Sequence, residues 1–227
     1  MFHILKQGCT KNKGLNMKVL LINGSPHEKG CTYTALNEIS TTLNQEGIET
    51  LIYYIGKEPI APCRDCHACE KLKKCVINDK VNEFLDLASE FDGYVIGSPV
   101  HYASASGICV PFLDRVFFAD LFSGREIFRL KPACAVVSAR RCGTTATLDQ
   151  LNKYFELSEM PIISSRYLNM VHGMNPDEVK KDKEGMQNMR ILAKNMAYFL
   201  RCKKAALKMN ILPPAKETPI FTNFIQV

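Results

Sequence analysis

The chain alternates short apolar runs with longer segments whose apolar residues recur at helical spacing. Lys18 to Asn23 is nearly all apolar and ends in Gly-Ser-Pro, which is typical of a central strand buried on both faces. Apolar positions every three or four residues predict a helix from Thr32 to Glu46, which Gly47 can end. The same pattern predicts further strands at 48–55, 94–97, 133–138 and 162–164, and further helices at about 79–90, after 107, at about 145–155 and at about 175–209.

Strands that alternate with helices predict a parallel sheet with helices on both faces. Right-handed crossovers restrict its topology, and five strands fit the flavodoxin-like α/β fold, a three-layer sandwich with strand order 2-1-3-4-5. Neither a repeat nor a linker divides residues 17–227, which predicts a single domain that ends in a helix. Ligands in such sheets bind beyond the carboxyl ends of the strands, so we expect the connections after strands one, three and four to meet there.

Composition limits the class of protein. Of the 227 residues 46% are apolar and 23% charged, as in globular proteins, and no apolar run is long enough for a membrane span. Residues 1–16 are polar and hold no signal-peptide core, so we expect either an N-terminal extension or a natural start at Met17. Ten cysteines without a secretory signal favour the reducing cytoplasm. The net charge of +6 comes without a nucleic-acid motif, so we expect no nucleic-acid partner.

The connection after the first strand, Gly24 to Thr32, predicts a phosphate site. Hydroxyl groups at Ser25, Thr32 and Thr34 lie beside the backbone N–H groups of a helix N-terminus, which together bind anions well. The connection holds neither the dinucleotide pattern G-x-G-x-x-G nor the Gly-Lys-Ser/Thr of a nucleotide phosphate loop. It therefore suits a single phosphate monoester better than a pyrophosphate. An ordinary capped turn is the alternative interpretation.

The connections after strands three and four suit a flat ring. Residues 98–107 offer a histidine, a tyrosine and several small residues that let the backbone approach a planar ligand. Residues 139–145 add two arginines and backbone N–H groups. Reduced flavin carries negative charge on its ring, and hydrogen-bond donors nearby favour that state. The three connections together predict a phosphorylated flavin.

Three motifs carry a family resemblance: GSP-x3-G-x-T after strand one, SPVHYASASG after strand three and SARRCGTT after strand four. Over about residues 17–173 the chain resembles the flavodoxin-like NAD(P)H-dependent FMN reductases. The resemblance implies hydride transfer from NADH or NADPH to FMN, transfer onward to a quinone-like, flavin, iron-sulfur or protein acceptor, and assembly into a homodimer or homotetramer. It implies FMN contacts at Ser25, His27, Gly30, Cys31, Thr32, Pro99, Val100, His101, Tyr102, Ala139, Arg140, Arg141 and Gly143.

The resemblance is incomplete at two positions, because many members carry Asn where this chain has Cys31 and a basic residue where it has His27. The backbone N–H of Cys31 remains available to a phosphate. The hydride step requires orientation and electrostatics more than an acid or base, so no catalytic residue is assigned.

Four cysteines lie within thirteen residues, in the pattern Cys63-x2-Cys66-x2-Cys69-x5-Cys75. Three thiols at spacing three with a fourth nearby can wrap an iron-sulfur cube, whereas structural zinc commonly uses two C-x2-C pairs far apart. The spacing resembles the compact motif of iron-sulfur flavoproteins, a branch of the same family, which implies a 4Fe-4S cluster that exchanges electrons with FMN. Three alternatives stay open: free thiols, a zinc-stapled module, and an electron carrier without nicotinamide turnover.

Overall fold

The computed structural model describes residues 17–218 and residue 220, so the predicted N-terminal extension lies outside the described residues. Its strands are β1 (Lys18–Asn23), β2 (Glu49–Tyr54), β3 (Gly93–His101), β4 (Ser104–Ala105), β5 (Ala133–Ala139) and β6 (Met170–His172). Five of them form a parallel sheet in the order β2-β1-β3-β5-β6, and β4 pairs antiparallel with the end of β3. The predicted flavodoxin-like order is confirmed, with the short strand β4 added to it.

Helices cover both faces of this sheet. They are α1 (Cys31–Gln45), α2 (Ala68–Leu72), α3 (Lys80–Ala88), α4 (Cys109–Ser123), α5 (Thr144–Leu157), α6 (Pro176–Lys181) and α7 (Lys183–Lys208). Leu20 and Ile22 of β1 pack into one hydrophobic cluster with α3, α4 and α5, whereas Val19 and Leu21 pack into a second with α1 and α7. Successive side chains of a strand point to opposite faces, which is why β1 is apolar at both kinds of position.

The prediction of a strand at residues 162–164 is wrong. Ile162 forms only an isolated bridge to Ala133, and the edge of the sheet is β6, which pairs with Val137 to Ala139 at the other end of β5. Three residues with polar neighbours give too short a pattern for β6 to be found from the sequence. Within the described residues, no helix combines the length and the apolar composition that a membrane crossing requires.

A glycine in β3 fixes the distance between the sheet and α1, and this leads to a stability prediction. A Cβ atom on Gly97 would lie 2.8 Å from Thr32 Cγ2 and 2.9 Å from Leu36 Cδ1. We expect Gly97→Ala to lower the free energy of unfolding by about 1–3 kcal/mol through overpacking, as measured by urea unfolding. Gly107→Ala is the control, because a Cβ there meets no atom within 4 Å. Equal urea midpoints for both variants would contradict the close packing at Gly97.

Candidate functional site

Asn23, the last residue of β1, shapes the connection that was predicted to bind phosphate. Its side chain is fully buried, and its Nδ2 donates a hydrogen bond to the carbonyl oxygen of Glu28 at 3.0 Å. Its Oδ1 accepts from the backbone N–H of Ser25 at 3.2 Å, and Ser25 Oγ accepts from the N–H of His27 at 3.0 Å. Sequence reasoning missed Asn23, although a polar residue that ends an apolar strand was a signal.

Helix α1 begins at Cys31 with no side chain capping its N-terminus, as is also the case for α2, α4 and α5. The first N–H groups of a helix have no partner within the helix and carry the positive end of its dipole. In front of α1 lies a cleft of about 860 Å³, and the residues that line it are 26–31, Tyr54, 56–58 and 174–176. The end of α1 at this cleft therefore has the features of an anion site.

The two threonines of the predicted phosphate site use their hydroxyl groups within the protein. Thr32 is buried, and its Oγ1 lies 2.8 Å from Ser138 Oγ. Thr34 Oγ1 donates to the carbonyl oxygen of Gly30 at 3.1 Å. For the predicted phosphate, this leaves the backbone N–H groups of the loop and the hydroxyl of Ser25 as the candidate donors.

The connections after β3 and β5 touch each other. Gln150 of α5 accepts a hydrogen bond from the backbone N–H of Ala105, which holds the β3–β4 hairpin against α5. Gly143 has φ +86°, and a Cβ on it would lie 2.7 Å from Ala103 Cα and 2.8 Å from Val100 Cγ1. Gly143 and Val100, two of the residues predicted to border the flavin ring, are thus brought together by the fold.

The other residues predicted to border the ring lie at the rim of this edge of the sheet. Pro99 is half-buried and Ala139 is buried at the end of its strand. His101, Arg140 and Arg141 are exposed, and Tyr102 is 106% exposed at the turn of the hairpin with φ +49°. The edge of the sheet therefore presents aromatic, imidazole and guanidinium groups to any ligand that reaches it.

The predicted cysteines come together in space. Cys63, Cys66, Cys69 and Cys75 all line one pocket of about 20 Å³, with Phe118 of α4 on its wall. Cys66 is exposed and Cys69 is buried in the core, and burial raises the pKa of the Cys69 thiol. Among residues 17–218, no three side chains of ligating type are close enough to hold one metal ion. The thiols thus surround a shared pocket without meeting at a point.

Arg115 of α4 also lines this pocket, a place that sequence reasoning did not assign to it. It is 1% exposed, and its Nη1 and Nη2 atoms lie 2.6 and 2.9 Å from the carboxylate oxygens of Asp79. Its Nε and Nη2 atoms also donate to Cys75 Sγ, at 3.3 and 3.2 Å. A charged residue within an otherwise apolar helix requires buried partners. This position of Arg115 in the sequence could therefore have indicated a buried ion pair.

Asn82 holds the backbone of Cys75, the fourth cysteine, by two hydrogen bonds. The amide of Asn82 accepts from the N–H of Cys75 at 2.9 Å and donates to the carbonyl oxygen of Cys75 at 3.0 Å. The segment before Cys75 has an unusual backbone conformation. Asp65, His67 and Lys73 adopt left-handed backbone conformations that non-glycine residues rarely take.

The connection from β2 to α3 joins the two candidate sites. Its start, residues 56–58, lines the cleft at α1, and its later part, residues 63–75, carries the four thiols. Residues of a single connection therefore border both the cleft at α1 and the thiol pocket.

Comparison with known proteins identifies the family. Residues 17–175 match the pattern of the NADPH-dependent FMN reductases. The chain belongs to this family. Membership supports flavin binding and a role as an FMN oxidoreductase or electron carrier, and it agrees with the three connections at the carboxyl edge of the sheet.

Individual relatives give the branch and the fold. An iron-sulfur flavoprotein of Methanocaldococcus jannaschii is 30% identical over 191 residues, which cover 82% of this chain and 98% of the relative. The crystal structure of RosB with bound 8-demethyl-8-formylriboflavin-5'-phosphate is similar with a TM-score of 0.65 at 17% identity, over 93% of this chain and 98% of that one. An archaeal flavodoxin gives a TM-score of 0.55 at 12% identity, over 82% of this chain and 99% of that one. The chain thus has the flavodoxin-like fold and falls in the iron-sulfur flavoprotein branch.

Proposed function

We propose that this protein takes electrons from NADH or NADPH onto FMN and passes them to a small-molecule or protein acceptor, with a 4Fe-4S cluster on its four thiols. The observation that carries the proposal is that one connection, residues 55–79, borders both the cleft at α1 and the thiol pocket. In this proposal the shared connection borders both redox groups, and electrons pass between FMN and the cluster within one subunit.

The cleft fits a flavin phosphate. In this proposal Ser25 and the first N–H groups of α1 bind the phosphate, since the loop is preshaped by Asn23 and α1 carries no side-chain cap. The backbone around Val100 and Gly143 borders the ring, and Arg140 and Arg141 add the positive charge that favours reduced flavin. Bound FMN supplies the capacity to accept an electron pair from a nicotinamide and to release electrons singly.

The thiol pocket fits an iron-sulfur cluster by its donor set. Four thiols line it, and the guanidinium of Arg115 beside Cys75 offsets negative charge there. Its volume of about 20 Å³ has room for roughly one water molecule, so a cluster requires the cysteine segment to open. Such a cluster, held by thiolates, supplies one-electron transfer.

The first test counts cofactors on protein purified without oxygen. We expect one FMN and about four irons with matching sulfide per subunit. FMN without metal would leave a plain flavin reductase, and zinc in place of iron would leave a zinc-stapled module. A protein that takes up no flavin, even when FMN is added, overturns the proposal.

The second test asks whether the protein turns over a nicotinamide. NADH or NADPH is added anaerobically, and the flavin absorbance is followed. We expect the flavin band to bleach with at least one of the two. If dithionite bleaches the band and neither nicotinamide does, the protein is an electron carrier that another protein reduces.

A further inference from the structure

Arg115 uses every one of its N–H groups inside the protein. Besides Asp79 and Cys75, its guanidinium donates to the carbonyl oxygens of Ala61 and Ile77, at 3.4 and 2.9 Å. Its five donors therefore face the start of the cysteine segment, the start of α3 and one thiol at once. Of these partners, Cys75 is the one that belongs to the proposed ligand set.

The contact with Cys75 places a buried cation against a sulfur that would carry negative charge as a cluster ligand. Two nitrogens of one guanidinium lie within 3.3 Å of the same sulfur, and the side chain of Arg115 is 1% exposed. A charged donor binds an ionised acceptor about twice as strongly as a neutral one, and little water is present here to screen the charge. Asp79, whose side chain is 32% exposed, offsets part of the positive charge.

We propose that Arg115 is a positioning residue that raises the reduction potential of the cluster through its contact with Cys75 Sγ. The inference rests on the proposed function, because it requires the four thiols to hold the cluster. Reduction adds one negative charge to the cluster, and a buried cation beside a ligand sulfur stabilises the reduced state relative to the oxidised one. Hydrogen bonds to the sulfurs and local charge are the usual determinants of these potentials.

Substituting each partner of the ion pair in turn distinguishes an effect on the reduction potential from a purely structural role in holding the loop. If Arg115 only braces the loop, removing either partner of the ion pair loosens the loop alike. If it tunes the cluster, removing the cation and removing its counter-charge move the potential in opposite directions. Asn caps helices as well as Asp does, so Asp79→Asn keeps the cap of α3 while it removes the negative charge.

The experiment is an anaerobic potential titration of the iron-loaded protein, monitored by absorbance and electron paramagnetic resonance. We expect Arg115→Gln to disfavour the reduced cluster at least tenfold, which is about 59 mV more negative for one electron. Asp79→Asn shifts the midpoint to more positive values. Arg115→Lys keeps the charge without the planar fork, so its midpoint lies between those of Arg115→Gln and the original protein.

Arg125→Gln is the matched control, because Arg125 binds Asp86 of α3 at 2.9 Å and touches no sulfur among the described residues. Its cluster midpoint should equal that of the original protein, and the flavin midpoint should not move in any variant. If Arg115→Gln does not retain iron, the negative shift of Arg115→Lys decides the question.

An iron-loaded Arg115→Gln protein with the original midpoint overturns the tuning, as does a shift of Asp79→Asn in the same direction as Arg115→Gln. An original protein that binds no iron overturns the proposed cluster itself. The iron count shows this before any variant is made, so the two failures are distinguishable.

Discussion

Replacing one thiol of the pocket, as in Cys66→Ala, is expected to lower bound iron at least tenfold while FMN stays bound. Cys66 is exposed, so its replacement leaves the core intact, and the proposed cluster would lose one of its four thiolate ligands. FMN is retained because residues 26–31 and 174–176 of the cleft carry none of the four thiols. Iron, sulfide and flavin are counted after anaerobic purification.

Cys202→Ala is the control for this series. Cys202 is also exposed, but it lies on α7, on the opposite face of the sheet from the thiol pocket. It should keep the iron content of the original protein. Full iron in Cys66→Ala would remove Cys66 from the ligand set, and equal losses in both variants would indicate a general loss of folding.

Gly143→Ala is expected to raise the Kd for FMN at least tenfold. Its φ of +86° already costs a residue with a side chain about 1–2 kcal/mol. The added Cβ would also lie 2.7 Å from the Cα of Ala103, so the two connections proposed to border the ring must separate. A tenfold weakening needs only about 1.4 kcal/mol of this cost to fall on the bound state. Fluorescence titration of the flavin-free protein with FMN measures the effect.

Gly124→Ala separates backbone strain from the loss of the site. Gly124 has φ +70°, and a Cβ on it meets no atom within 4 Å. It should lower the free energy of unfolding by about 1–2 kcal/mol and leave the Kd for FMN unchanged. An unchanged Kd in Gly143→Ala would show that the contact between the two connections does not shape the ring site.

The central sheet could be predicted because its strands are buried on both faces. Residues 19–22 of β1 and 133–137 of β5 all belong to one of the two hydrophobic clusters, so these apolar runs can be recognised in the sequence. The edge strand β6 has three residues and one buried side chain, and its pairing with β5 is a long-range contact. Local pattern contains too little information to place such a strand.

The same division holds for the site. The four thiols were found because their spacing is itself the signal. Arg115 was not placed beside the thiols and Asn82 was missed, because their roles depend on contacts 40 and 7 residues away in the chain. Asn23 could have been predicted from the sequence, since it ends a strand beside Gly24. The contact of Gly143 with Ala103 could not, because it depends on how the hairpin folds.

If the four thiols hold a cluster, Asn82 lowers the entropy cost of binding it. Fixing the backbone of one residue costs roughly 1–2 kcal/mol. At Cys75 this cost is met when α3 folds, because Asn82 binds both the N–H and the carbonyl oxygen of Cys75. Metal binding then has fewer residues left to order, so more of its free energy remains as affinity. The folded chain has thus already lost part of the conformational entropy that binding to the four thiols would otherwise cost.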